Sequence, residues 1–274
     1  MRTLLAAILL ASQPQSAAAP DLAPALAAEG HARYRLALAI LRAEENPAAH
    51  ARHADPRVAE AAIDAARERI ADSEGEPSPK SEQIATDLLG FAAETGNGAL
   101  ATRALHAVAE SRNAFGGRIS TAMARLALNP ACAVRLDAIA ALSELGDGSQ
   151  AATLAKLAGD ADSAVAQAAR DSLASIQGKG VTETFVRGID DAALGTRARI
   201  ALLQAATKRG LVAAAPSAAR ALGNPSLRLE AQKAVLRLAR KEHLAELRAA
   251  RDRLADAPET RDVLERLIAR LEKQ

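Results

Sequence analysis

An all-α, right-handed solenoid of about seven helical hairpins is the fold that this sequence predicts. A recurring apolar stripe, a period near 31 residues and a near absence of aromatics point to it. In Asn129–Leu145 one set of apolar residues falls at Val134, Ala138, Ala141, Leu142 and Leu145. Offsets of 0, 4, 7, 8 and 11 place them on one face of an α-helix. The same template starts again at Leu100, Val165, Leu194, Leu227 and Thr260. Of the 30 positions in these six copies, 27 are apolar, and the exceptions are Ser111, Ser172 and Thr260. A chain that is 49% apolar supplies only about half by chance.

Successive anchors lie 34, 31, 29, 33 and 33 residues apart, a spacing typical of helical repeats. Helix-start signals precede most anchors: Asp55-Pro56, Asn129-Pro130, Asp160-Ala161-Asp162, Asp190-Asp191, Asn224-Pro225 and Asp256-Ala257-Pro258. A shorter apolar helix precedes each signal, so each unit reads as a two-helix hairpin. Aromatics make up 1% of the chain and Trp is absent. Closely stacked Ala/Leu helices form a core without large rings, whereas a globular core of this size relies on them.

The string Asn129-Pro130-x-x-x-Val134-Arg135-x-x-Ala138-x-x-Ala141-Leu142 resembles the second helix of a HEAT repeat. The period, nearer 31 than 40, is similar to that of the HEAT-like repeats of phycobilin lyases. The resemblance covers roughly residues 55–274. It implies a fold and leaves the function open, because that family hosts scaffolds, adaptors and a few enzymes.

Taken in order, residues 1–18 read as a cleavable signal peptide. Arg2 is the charged start, and Leu4–Ala11 is an apolar run too short to span a bilayer. Small and polar residues follow, with cleavage expected after Ala18 and the protein in the periplasm or secreted. Residues 19–72 are expected to form capping helices and a degenerate first repeat, with Tyr34, Leu38 and Leu41 facing one way. Residues 73–82 are polar, contain two Pro residues and read as a flexible loop. Residues 83–274 form the array. Within it, Gly116-Gly117 breaks a helix, and Pro216 belongs in the first turn of its helix or kinks it.

No catalytic motif stands out. The chain lacks His-Glu-x-x-His, Gly-x-Ser-x-Gly, Ser-x-x-Lys and a phosphate-cradling Gly-rich loop. HEAT-like iron hydroxylases carry repeated His-Glu pairs, and this chain has none. The expectation is therefore no catalysis, no cofactor and no metal. His50-x-x-His53-x-Asp55 has ligand types at close spacing but no second pair to close a tetrahedron. Asp160-Ala161-Asp162 reads as a helix cap. Cys132, the single cysteine, is expected in the first turn of a helix as packing. The scarcity of aromatics counts against single-stranded nucleic acid, so no nucleic-acid partner is expected.

Charge is the informative feature. Residues 20–180 carry a net −5 and residues 181–274 a net +6, although the whole chain is only +2. The polar face of the second helices follows this trend. Ten residues after the anchors, with Val58 counted as that of the degenerate first repeat, come Glu68, Glu110, Glu144, Ser175, Gln204, Arg237 and Arg270. Six residues after them come Asp64, His106, Ala140, Asp171, Ile200, Lys233 and Arg266. In repeat arrays such rows form binding surfaces. The sequence thus predicts a non-catalytic, exported protein-binding scaffold. Its candidate partner-binding residues are Glu68, Glu110, Glu144, Asp171, Lys233, Arg237, Arg266 and Arg270. The alternative is an electrostatic adaptor to an anionic surface or polymer through Lys233, Arg237, Arg240, Lys241, Arg266 and Arg270. An enzyme of the HEAT-like lyase kind is a third reading. Opposite charge at the two ends also predicts weak head-to-tail self-association.

Overall fold

The computed structural model describes residues 19–72, 78–110, 117–145 and 147–273. They form an α-solenoid of seven stacked helical hairpins, with no strand among the described residues. A short helix α1 (Ala23–Ala27) comes first. The hairpins follow as α2 (Gly30–Leu41) with α3 (Pro56–Ala71), α4 (Pro79–Glu94) with α5 (Gly98–Ala109), and α6 (Gly117–Leu128) with α7 (Arg135–Leu145). Then come α8 (Gly148–Leu157) with α9 (Ser163–Ser175), α10 (Val181–Asp190) with α11 (Thr196–Arg209), α12 (Ala215–Ala221) with α13 (Arg228–Leu238), and α14 (Leu244–Arg253) with α15 (Pro258–Glu272). Second helices pack side by side from α3 to α13, and first helices from α4 to α14. These are the two layers of the solenoid, and α15 is held by its own partner α14.

The stripe is the core. Of the 28 template positions whose side chains are described, 26 are buried, and only Leu100 and Leu194 are partly exposed. Ala recurs four residues after the anchor at Ala104, Ala138, Ala169, Ala198 and Ala231, all buried. A methyl group there lets neighbouring helices approach closely, so tight packing replaces large rings. One apolar cluster runs unbroken from Ala48 to Leu271. A smaller one joins α1 and α2 to Val58, Ala61, Ala62 and Ala65 of α3. Helix α3 also sends Ile63, Ala66 and Ile70 into the main cluster. It is therefore sandwiched between the N-terminal cap and the second hairpin.

Helix starts divide into two geometries. Asp55, Asp147 and Asp162 each accept from two backbone N–H groups of the turn they cap, at 2.7 to 3.4 Å. Asn129-Pro130 and Asn224-Pro225 do not start their helices. Asn129 Oδ1 accepts from Ala131 N at 3.0 Å, and Asn224 Oδ1 from Ser226 N at 3.0 Å. These local turns consume the side chain, and the helices begin later, at Arg135 and Arg228. Cys132 accordingly sits buried in a turn ahead of α7 and not in its first helical turn.

The expected loop at 73–82 does not extend over residues 79–82, which are helical. Ser78 Oγ accepts from Ser81 N at 3.1 Å, Pro79 fills the first helical position, and Glu82 lies in the first turn. Cap, proline and acid together start α4 inside that segment. Residues 73–77 lie outside the described residues, as do residues 1–18 and Gly116. Pro216 sits in the first turn of α12, where its missing N–H costs nothing.

Candidate binding surface

The candidate residues occupy the face of the second helices opposite the buried stripe. Their partners divide them into two groups. Glu68 is half-buried and accepts from Arg42 Nε at 2.7 Å and Nη2 at 2.6 Å. The Arg42 hydrogen bonds hold its carboxyl below the usual range, against partial burial. Glu110 lies 3.6 Å from Arg67 Nη1. Glu144 and Asp171 are exposed, and Asp171 accepts from Gln167 Nε2 at 3.1 Å on each oxygen.

Asp64, which the repeat template places on this exposed row, is instead only 5% exposed. The template assumes one buried face per helix, but α3 is packed on two sides. Arg103 of α5 clamps Asp64 through Nε at 2.9 Å and Nη2 at 2.5 Å, and the Tyr34 hydroxyl donates to it at 2.6 Å. Arg103 Nη1 also reaches Glu60 at 2.9 Å. Burial alone raises an Asp carboxyl, yet the Arg103 and Tyr34 hydrogen bonds hold Asp64 below its usual range. Burial and the same Asp64 contact push the Tyr34 phenol up to about 12.

The basic end is arranged differently. Lys233 Nζ meets Glu230 at 2.7 Å. Arg237 donates Nε to Thr207 O of α11 at 3.2 Å, which leaves its terminal amines uncommitted among the described residues. Arg240 Nη1 donates to Arg237 O at 3.0 Å and to Ala239 O at 2.9 Å. Lys241, Arg266 and Arg270 are exposed and pair with no other described residue. Glu68 and Glu110 are thus paired with arginines of the chain, whereas Glu144, Asp171 and several cations at the other end remain open to solvent.

A second set of arginines escaped the sequence reading. Arg135 donates Nε to Ala127 O at 2.9 Å and Nη2 to Asp160 at 2.7 Å. Arg228 repeats this on Leu222 O at 3.0 Å and Asp256 at 2.8 Å. Arg33 does so on Ala28 O at 2.8 Å and on Asp55. Arg199 supplies the carbonyl half alone, on Ile189 O at 2.8 Å. Each satisfies a free carbonyl at the end of the preceding helix, and three of the four also hold an acid ahead of a later helix. Arg one residue after the anchors Val134 and Leu227 was the available signal.

Several grooves cross the array among the described residues, two of them between neighbouring helices of the middle hairpins. One, of about 620 Å³, lies between α8 and α10, with Ser149, Thr184, Arg187 and Asp191 as its polar lining. The other, of about 370 Å³, lies between α9 and α11 and includes Arg170, Arg197 and Gln204. His53 Nδ1 accepts from Asp55 N at 3.0 Å, and the Asp55 carboxylate is engaged by Arg33 and the start of α3. Among the described residues no cluster of His, Cys, Asp or Glu is placed to hold a metal ion, and no helix is long and apolar enough to cross a membrane.

No protein-family model matches the chain, and no curated protein does. Among solved structures, the chain is similar to an engineered protein at 15% identity and a TM-score of 0.36, over 76% of this chain and 96% of that one. It is similar to human deoxyhypusine hydroxylase, solved in complex with glycerol, at 16% identity and a TM-score of 0.36, over 89% of this chain and all of that one. Likenesses at this level carry no argument about function.

Proposed function

We propose that the chain is an exported, non-catalytic scaffold of HEAT-like repeats that binds a protein partner on the exposed face of its second helices, chiefly at the basic end. One observation carries this reading. Glu68 and Glu110 are paired with arginines of the chain and Asp64 is buried, whereas Arg266, Arg270 and the terminal amines of Arg237 are free among the described residues. A partner meeting Glu68 or Glu110 must break existing pairs, while one meeting the basic row gains new ones. Export rests on Arg2, the apolar run Leu4–Ala11 and the small residues after it. The non-catalytic reading draws on the lack of a catalytic motif and on the lowered carboxyls of Asp64, Glu68, Asp160 and Asp190, each of which sits in an arginine pair.

The alternative, an adaptor to an anionic surface or polymer, draws on the same free cations together with Arg240 and Lys241. Salt separates the two. A bound protein partner with packed apolar contacts survives a rise from about 50 to 300 mM salt, whereas a purely electrostatic target is released. Release of every retained species over that range would reject the scaffold. Head-to-tail self-association uses these cations too, and on the acidic row it would draw on Glu144 and Asp171, since Glu68 and Glu110 are already paired. Sedimentation velocity at low and high salt tests it, and a species that is monomeric at both excludes it.

A further inference from the structure

The face of α13 carries more than charge. Leu229 is 65% exposed and Leu236 42%, and Leu229 is the most exposed large apolar side chain among the described residues. Seven residues, or two helical turns, separate them, a distance of about 10 Å along one stripe. Lys233 lies between them on that stripe, and Arg237 follows on the same helix. Arg237 is pinned to Thr207 O by Nε, so its two terminal amines form a fixed fork suited to a carboxylate. Lys208 is exposed on α11, the helix against which α13 packs. The one acid on α13, Glu230, is already paired with Lys233.

We propose that this face takes an acidic amphipathic helix of a partner protein. Its apolar side chains lie over Leu229 and Leu236, and its carboxylates meet Arg237 and Lys208. The inference rests on the reading of the second-helix face as a partner-binding surface, and it names the class of partner. A helix supplies apolar groups two turns apart, in step with the two leucines, and carboxylates one turn away from them. An anionic membrane fits less well. Interfacial membrane helices keep an apolar face apart from their cations and use Trp or Phe, whereas here a cation sits between two leucines and no aromatic flanks them. A second copy of the chain fits less well too, since Glu68, Glu110 and Asp64 of its acidic row are occupied by its own arginines.

The test is selection of random peptides of about 16 residues, long enough for four helical turns, displayed on phage against the full chain. The enriched peptides are then measured by fluorescence anisotropy against the native chain, Leu229→Ser/Leu236→Ser and Arg237→Glu. Enriched sequences are expected to be acidic with apolar residues seven apart, and to bind either variant at least about tenfold more weakly. Melting temperatures confirm that both variants fold. Peptides that are not acidic, or that bind the leucine variant as well as the native chain, overturn the inference while leaving a scaffold with another binding face. Failure to enrich any peptide, together with co-sedimentation of the chain with phosphatidylglycerol vesicles, overturns both readings in favour of the surface adaptor. Failure to enrich with no vesicle binding removes both without replacing them.

Discussion

Arg103 closes two N–H groups on the Asp64 carboxylate, Nε to Oδ1 at 2.9 Å and Nη2 to Oδ2 at 2.5 Å, across 39 residues of sequence. The pair joins α5 to a carboxylate on α3 that is 5% exposed and also bonded to Tyr34 of α2. It thus ties the N-terminal cap to the second hairpin. Arg103→Ala leaves that carboxylate without its main partner. The expected loss is about 2 kcal/mol, below the cost of breaking a fully buried pair because Arg103 is itself partly exposed. Urea unfolding measures it, and a midpoint equal to that of the native chain refutes the clamp.

The acid stability follows from the same pairs. Asp55, Asp64, Glu68, Asp160, Asp190 and Asp256 all have carboxyls held below their ordinary range, with arginine hydrogen bonds contributing at every site. A depressed carboxyl adds stability that is fully present above its unfolded pKa of about 4 and is lost as the pH falls through the lower folded value. The melting temperature should therefore stay nearly level from pH 7 to 5 and drop steeply below about 4. Asp64→Asn should flatten part of that drop. A melting temperature at pH 3 equal to that at pH 7 contradicts the assignment.

Arg135 spans three pieces of chain: its own helix, the end of α6 at Ala127 O, and Asp160 ahead of α9. Lysine keeps the charge but lacks the planar fork that serves two acceptors at once. Arg135→Lys should cost about 1–2 kcal/mol, and Arg228→Lys somewhat less because Asp256 is more exposed than Asp160. Thermal unfolding ranks the two. An Arg228 variant that loses more than the Arg135 variant contradicts the geometry.

Much of this architecture was legible because a stripe of fixed spacing must face a core, whatever the partner helix. The template located the buried positions of α5, α7, α9, α11, α13 and α15 from residue type alone. It misplaced Asp64, because nothing in α3 itself says that a cap covers its second side. It also misjudged Asn129-Pro130 and Asn224-Pro225, since an Asx turn and a helix cap draw on the same two residue types. The neutralisation of Glu68 by Arg42 and of Glu110 by Arg67 joins residues 26 and 43 apart, which a charge count along the chain does not pair.

Close approach of the helices can be probed at two points. A Cβ added at Gly148 would lie 2.6 Å from Gly180 O, a backbone atom that cannot move aside cheaply. Ala198 is buried on the stripe of α11 and faces Gly159, where an added Cβ would lie 3.6 Å from its own. Gly148→Ala and Ala198→Leu should each destabilise by about 1–3 kcal/mol through overpacking. Differential scanning calorimetry reads both, and unchanged transitions would show that the repeats are not packed in this register.

The most direct test swaps charge at each end of the second-helix row. Two variants are compared with the native chain in capture from a cell-envelope extract at about 150 mM salt, a screening length near 8 Å. One carries Glu68→Lys and Glu110→Lys, the other Arg237→Glu, Arg266→Glu and Arg270→Glu. Circular dichroism first checks that each remains folded. The native chain and the acidic-row variant should retain the same specific protein, and the basic-row variant should lose it. Retention by the basic-row variant with loss by the acidic-row variant would place the binding surface at the opposite end and contradict the proposal.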